Sequence, residues 1–386
     1  MSLIFHGGNR LTLLRAGAEY FPALEAAFAS AQYEIHLQTY IYQDDATGRR
    51  ITDALCAAAR RGVVVRLMVD GFGARDMSLA LIERLHAAGV RRMVFRPLLS
   101  PWSLRDHRLR RMHRKLVVVD GRVGFVGGIN IIDDQDTPHQ VPPRYDYAVQ
   151  VEGPLVPAMR EAAARLWALV AWASLKRSMR VRPSFPVDDS PKGDQRAALV
   201  VRDNLRHRAD IEDAYLEAIA RARDEIIIAN AYFFPGRRFR RALVEAARRG
   251  VRVVLLLQGR VEYLLLHYAS RALYGTLLDS GVQIFEYHRS FLHAKVAVID
   301  GQWATVGSSN IDPFSLLLAR EANVVADDRR FAAELRQSLH EAIEQGATAV
   351  LPQRWAHQPP WKRLPIWLGY GLTRFLMGVV GYGRTY

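Results

Sequence analysis

Two histidine–lysine pairs, His113 with Lys115 and His293 with Lys295, lie 180 residues apart, and each heads the same spaced string. The first copy continues to Asp120 and Gly127-Gly128-Ile129-Asn130, the second to Asp300 and Gly307-Ser308-Ser309-Asn310. These residue types suit phosphate chemistry. A phosphodiester is a stable anion, so cleaving it needs charge neutralisation, a nucleophile and a protonated leaving group. Lys115 and Lys295 can neutralise the non-bridging oxygens, and Asn130 and Asn310 can donate hydrogen bonds to them. The small residues Gly128 and Ser308 would let the backbone approach the same phosphate. One histidine can attack phosphorus while the other protonates the departing alkoxide and later deprotonates an incoming alcohol or water. With two lysines supplying positive charge, neither a metal nor another cofactor is required.

An imidazole in such a role needs its Nδ1–H held by an acceptor. Asp146, in Arg144-Tyr145-Asp146-Tyr147, and Glu321, in Arg320-Glu321-Ala322-Asn323, follow the two motifs at comparable places and are the candidates to orient the histidines. Asp120 and Asp300 belong to the catalytic string. Each precedes a turn glycine, and a scaffold role is favoured for both over direct chemistry.

The elements that must position these groups are themselves repeated. Glu34–Tyr40 matches Glu225–Ala231, Ala57–Val63 matches Glu245–Val251, and Val64–Asp70 matches Arg252–Gln258. Each half reads helix, short apolar strand, helix, glycine stop, apolar strand, which indicates sheets buried on both faces by helices. Lys115–Asp120 and Lys295–Asp300 read as strands entering a turn. With a strand period of two, His113 and Lys115 project from one face about 6–7 Å apart, as do His293 and Lys295. Prolines 183, 186 and 191 with Gly193 break the periodicity between the halves. The expected divisions are a first lobe over 1–180, a linker over 181–197, a second lobe over 198–350 and a tail over 351–386.

The net charge of +14 over 386 residues points to a polyanionic partner, either nucleic acid or an anionic membrane surface. The run Arg105-Asp106-His107-Arg108-Leu109-Arg110-Arg111 concentrates that charge. A single cysteine, Cys56, excludes a disulfide framework or a cysteine-based metal site and reads as a small core residue. Neither a signal peptide nor an apolar run of spanning length is evident, so folding in the cytoplasm is expected. Trp167 and Trp172, on an amphipathic helix from Leu155 to Lys176, are expected to pack in the core or between lobes. Tyr40, Tyr42, Tyr232 and Phe233 follow the first strand of each lobe, and core packing is expected for at least half of them. The tail interleaves Trp355, Trp361, Trp367, Tyr370 and Phe375 with Lys362, Arg363 and Arg374, the composition of a segment lying in a membrane interface.

The doubled His-x-Lys string, with its downstream Asp, Gly and Asn, is similar to the signature of the phospholipase D superfamily, and the resemblance covers about Leu11 to Val325. It implies an α/β fold of two tandem lobes, each a mostly buried mixed sheet flanked by helices, related by a pseudo-twofold axis with one active site at their interface. It also implies a phosphohistidine intermediate, with His113 as nucleophile and His293 as general acid and base. Together with the tail, the chain resembles the bacterial cardiolipin synthases that lack N-terminal transmembrane helices. That resemblance implies phosphatidyl transfer between two phosphatidylglycerol molecules by a peripheral protein on the cytoplasmic face of the inner membrane. Anionic phospholipids are then the expected partners and nucleic acid is not. The competing expectations are a hydrolase or nuclease of the same superfamily, and an inactive membrane-binding scaffold.

Overall fold

The computed structural model describes residues 3–97, 110–137, 141–175, 187–203, 206–261, 263–356 and 359–379. Fifteen strands form one continuous sheet whose order is a palindrome of the two halves. From the first outer edge inward, the N-terminal half runs Arg91–Phe95, Val64–Asp70, Glu34–Thr39, Lys115–Val119, Val123–Gly127, Tyr147–Glu152 and His6–Arg15. The C-terminal half repeats this outward as Gln195–Arg202, Glu321–Asp327, Trp303–Gly307, Lys295–Ile299, Glu225–Asn230, Arg252–Gln258 and Gln283–Tyr287, with Ala347–Ala349 added at the edge. The outer strands of each half pair in parallel, and both hairpins that carry the motifs are antiparallel. The halves join through an irregular antiparallel pairing of His6–Arg15 with Gln195–Arg202. That last strand opens inside the segment expected to be the linker.

Strands buried on both faces need apolar side chains throughout, and Lys115–Val119 and Lys295–Ile299 are buried at every position. Helices cover them in equivalent places. Arg160, on Val156–Ala173, donates to the Glu34 carboxylate at 2.6 Å. Arg336, on Arg329–Gly346, donates to Glu225 at 2.6 Å. The same device thus clamps a helix to the start of the same strand in both lobes. Both helix stops expected before the second strand exist, with Gly62 and Gly250 at φ of 95° and 90°, where other residues would be strained. Cys56 is buried in the first lobe.

Trp167 is fully buried beside Met68, Phe95 and Met112. Trp172, expected to pack as well, is instead exposed near the end of the same helix, which stops at Ala173. In the basic run only Arg110 and Arg111 fall among the described residues. The Arg111 guanidinium lies 3.6 Å from the Asp70 carboxylate and over the Phe72 ring.

Candidate active site

His113 and His293 each lie immediately before a motif strand, where the chain crosses to the other lobe. Arg144–Tyr145 of the first lobe pairs in parallel with Phe291–Leu292 of the second, and the His293 N–H donates to the Tyr145 carbonyl at 2.8 Å. The symmetric contact is made by the Arg320 carbonyl, which accepts from the His113 N–H at 3.0 Å and the Arg114 N–H at 2.8 Å. Two short inter-lobe stitches therefore hold the two histidine backbones at one seam.

The carboxylates pair crosswise. His113 Nδ1 is 3.0 and 3.2 Å from the two oxygens of Glu321, which belongs to the second lobe. His293 Nδ1 is 2.6 Å from Asp146 Oδ2 of the first lobe. A carboxylate can only accept, so both Nδ1 atoms carry the proton and each neutral ring keeps its Nε2 lone pair for chemistry. Asp146 and Glu321, the expected orienting residues, thus each serve the histidine of the opposite lobe. Neither half-site is complete within one lobe.

The lysines reach the same point. Lys115 Nζ donates to the His113 carbonyl at 2.7 Å and stands 3.3 Å from His113 Nε2. Lys295 Nζ donates to the His293 carbonyl and lies 3.7 Å from Asp146 Oδ2. Both lysines are at most 2% exposed. Burial pushes the Lys115 ammonium down to about 7, with Glu321 opposing and Lys295 adding to the fall. Burial likewise lowers both histidines, and His293 also feels the positive field of Lys295, Arg144, Lys115 and His113. Burial raises the Asp146 carboxyl to about 6, against the pull of Lys295. An empty site therefore favours neutral imidazoles. A bound phosphodiester anion would supply the missing negative charge and restore His293 as a proton donor.

The rest of the string makes three kinds of contact. Asp120 and Asp300 sit at the far ends of their strands and touch no other member of the catalytic set. The Asp120 carboxylate accepts the backbone N–H groups of Gln32, Tyr33 and Glu34 at 2.7–2.8 Å. Asp300 accepts those of Arg223, Asp224 and Glu225, each at 2.9 Å. Both take a left-handed φ near 50°, which a short polar side chain tolerates. They fix the entry to the neighbouring strand, the contact a scaffold residue makes.

Gly128 and Ser308, expected beside the phosphate, lie against the carboxylates. A Cβ at Gly128 would fall 2.4 Å from the Asp146 oxygens, so glycine leaves the room that carboxylate occupies. At the equivalent place Ser308 donates its hydroxyl to Glu321 Oε2 at 2.5 Å, and its carbonyl lies 3.2 Å from His113 Nδ1. Asn130 uses its oxygen to accept the Ile41 N–H at 3.0 Å, which leaves its amide hydrogens as the donors available to phosphate. Asn310 places its nitrogen 3.5 Å from Ser315 Oγ. The four aromatics divide evenly. Tyr42 and Phe233 are core residues, whereas Tyr40 packs on the His113 ring at 4.9 Å and Tyr232 stands edge-on to His293 at 6.5 Å.

The C-terminal helix Pro360–Val379 docks on the second lobe through Ile366, Gly369 and Thr373. A Cβ on Gly369 would come within 2.9 Å of the Tyr268 side chain. Its other face exposes Trp361, Leu364, Trp367, Leu368, Leu372 and Phe375, each at least half exposed. No helix among the described residues is long and apolar enough to cross a membrane.

The model of the cardiolipin synthase, phospholipase D-like domain family matches residues 24–140 and 215–343. Cardiolipin synthase B of Escherichia coli K12 is 40% identical over 99% of this chain and 92% of its own length. The Salmonella typhimurium protein of the same name is 40% identical over 97% and 90%. A cardiolipin synthase of Geobacillus kaustophilus is 33% identical over 82% of this chain and 62% of its own. Among solved structures, phosphatidylserine synthase of Haemophilus influenzae superposes with a TM-score of 0.72 at 13% identity, covering 100% of this chain and 97% of that one. Polyphosphate kinase of Porphyromonas gingivalis gives 0.59 at 15% identity, over 96% and 53%. At such identities the two structures speak to the fold alone. The sequence relatives and the two matched segments, which take in both motifs, go further: the chain belongs to the cardiolipin synthase family of phospholipase D-like proteins.

Proposed function

We propose that the chain is a cardiolipin synthase that moves the phosphatidyl group of one phosphatidylglycerol onto the glycerol of a second. The crossed pairs Glu321–His113 and Asp146–His293 carry this reading, because they prepare two imidazoles for opposite tasks at one seam. His113 Nε2 attacks phosphorus, and the bond to the glycerol oxygen breaks as His293 Nε2–H protonates it. Glycerol leaves, and His293 is left neutral. It then takes the proton from a hydroxyl of the second phosphatidylglycerol, whose oxygen displaces His113 from phosphorus. Cardiolipin is released and both histidines return to their starting states. Lys115 and Lys295 balance the oxygens of the five-coordinate transition states. Asn130 and Asn310 would donate hydrogen bonds to the same oxygens.

The chain would lie peripherally at the cytoplasmic face of the membrane, and the C-terminal helix supports the anchoring. Its six exposed apolar side chains lie opposite the face that grips the protein, as an in-plane interfacial helix requires. The net charge of +14 suits an anionic bilayer. The lobes 1–180 and 198–350 would hold the chemistry and the tail 351–386 the membrane. The test is lipid mass spectrometry on phosphatidylglycerol liposomes given purified enzyme, with His113→Ala and His293→Ala as controls. Cardiolipin plus glycerol from the wild type alone supports the proposal. Phosphatidic acid as the sole product would make it a hydrolase, and DNA cleavage without lipid turnover would make it a nuclease.

A further inference from the structure

The strands Val64–Asp70 and Arg252–Gln258 occupy equivalent places in the two lobes and end on Asp70 and Gln258. Asp70 is saturated. It is fully buried, accepts the N–H groups of Phe72, Met112 and Gly73 at 2.8, 2.9 and 3.3 Å, and faces the Arg111 guanidinium. Gln258 is 8% exposed, yet neither its amide nitrogen nor its amide oxygen has a partner among the described residues. An amide buried in this way is costly, and a fold with no use for its polarity would be better served by an apolar residue.

Gln258 lines a cavity of about 30 Å³ together with Tyr232, Tyr263, His267 and Tyr274. Tyr232 is the wall shared with the catalytic seam, since its ring stands edge-on both to His293 and to Tyr263. The volume suits about two hydroxyl-sized groups. Burial drives His267 down to about 4, so its ring is neutral at physiological pH. Among the described residues no carboxylate lines the cavity, and its one charged side chain is that of Arg260. A headgroup ending in an ammonium would therefore find no counter-charge there. A diol would find in one amide both the acceptor and the donor that its hydroxyls require.

We infer that this cavity is the subsite for the polyol end of the alcohol that leaves from and adds to the phosphatidyl group, with Gln258 as its specificity-determining residue. The inference deepens the phosphatidyl-transfer reading and rests on it. The departing glycerol and the accepting glycerol both exchange their proton with His293, so one subsite beside His293 serves both half-reactions.

The test compares the full-length wild type with Gln258→Leu and Gln258→Met on mixed-detergent vesicles containing either phosphatidylglycerol or phosphatidylpropanol, which lacks the two distal hydroxyls. The wild type should cleave phosphatidylglycerol with the higher kcat/KM. Both variants should lose about tenfold or more of that value while keeping phosphatidylpropanol cleavage within about twofold, so that the preference collapses towards one. Retained phosphatidylpropanol cleavage shows that the variants are folded. A parallel fall on both lipids, or an unchanged preference, overturns the subsite. If the wild type yields phosphatidic acid and no cardiolipin but the Gln258-dependent preference persists, the subsite stands and the transferase reading fails.

Discussion

Replacing Glu321 by Gln keeps the shape of the residue that orients His113 and removes its charge. Glu321 is fully buried and holds the His113 Nδ1–H at 3.0 and 3.2 Å and the Ser308 hydroxyl at 2.5 Å. Losing one charge-assisted hydrogen bond costs about 1.5–3 kcal/mol, roughly 10- to 150-fold in rate. The amide also brings hydrogens that can donate to Nδ1, which shifts the imidazole proton to Nε2, the atom that must attack. With that tautomer error the expected fall is about 10²–10⁴-fold. Because the pairing is crossed, this second-lobe substitution damages the first-lobe nucleophile, whereas Asp146→Asn damages the acid His293. The two are separated by a phosphatidyl ester of p-nitrophenol, whose leaving group needs no proton. Rapid-quench measurement of nitrophenolate release should show Asp146→Asn nearly as fast as wild type in the first turnover and Glu321→Gln slowed throughout. On phosphatidylglycerol both should be slow. The reverse pattern, with Glu321→Gln rescued and Asp146→Asn not, would refute the crossed assignment.

Other consequences follow from the same geometry. Lys115 is held near 7 by burial, so in the free enzyme its positive charge is present below about pH 7 and lost above it. Because His293 must also be protonated and is lowered further in the free enzyme, the kcat/KM for phosphatidylglycerol should already be falling below about pH 7 and fall more steeply above it, and a bound phosphate should displace the same limb of kcat to higher pH. A kcat/KM profile flat to pH 9 would contradict this. Gly128→Ala puts a methyl group against the Asp146 carboxylate and should cost about 100-fold in kcat, comparable with the loss of one preorganised catalytic hydrogen bond, while circular dichroism melting changes little. Asp120→Ala removes the acceptor of three backbone N–H groups and should do the opposite, lowering stability by about 3 kcal/mol with kcat per folded molecule retained. Leu368→Asp on the exposed face of the C-terminal helix should weaken sedimentation with anionic vesicles by about tenfold or more, with turnover of a detergent-dispersed substrate preserved.

The histidines, lysines and orienting carboxylates were legible in the sequence because a strand repeats every two residues and a motif present twice reports its own spacing. The turn aspartates could also be read, since Asp before Gly is a turn signal whether or not chemistry lies nearby. The carboxylate contacts of Gly128 and Ser308 were not legible, because small residues next to a site show only that something approaches. It took the fold to show that the visitor is Asp146 in one lobe and Glu321 in the other. The crossing had no local signal at all. It arises from Arg144–Tyr145 pairing with Phe291–Leu292 and from Arg320 bonding to His113 and Arg114, contacts between segments more than 100 residues apart. Gln258 aligned with Asp70 in the repeat, but only burial without partners distinguishes the two. Trp172 read like Trp167 because helical periodicity gives a face, and it does not give the length of the surface that covers it.

The covalent step is the centre of the account and can be observed directly. The phosphatidyl ester of p-nitrophenol, whose leaving group needs no proton, is mixed with His293→Ala, the reaction is quenched in alkali, which preserves phosphoramidates, and the digested protein is examined by mass spectrometry. A phosphatidyl group on His113, absent from the His113→Ala enzyme, is the predicted result. An adduct on His293 in His113→Ala, or cardiolipin formed by His113→Ala at the wild-type rate, would contradict it.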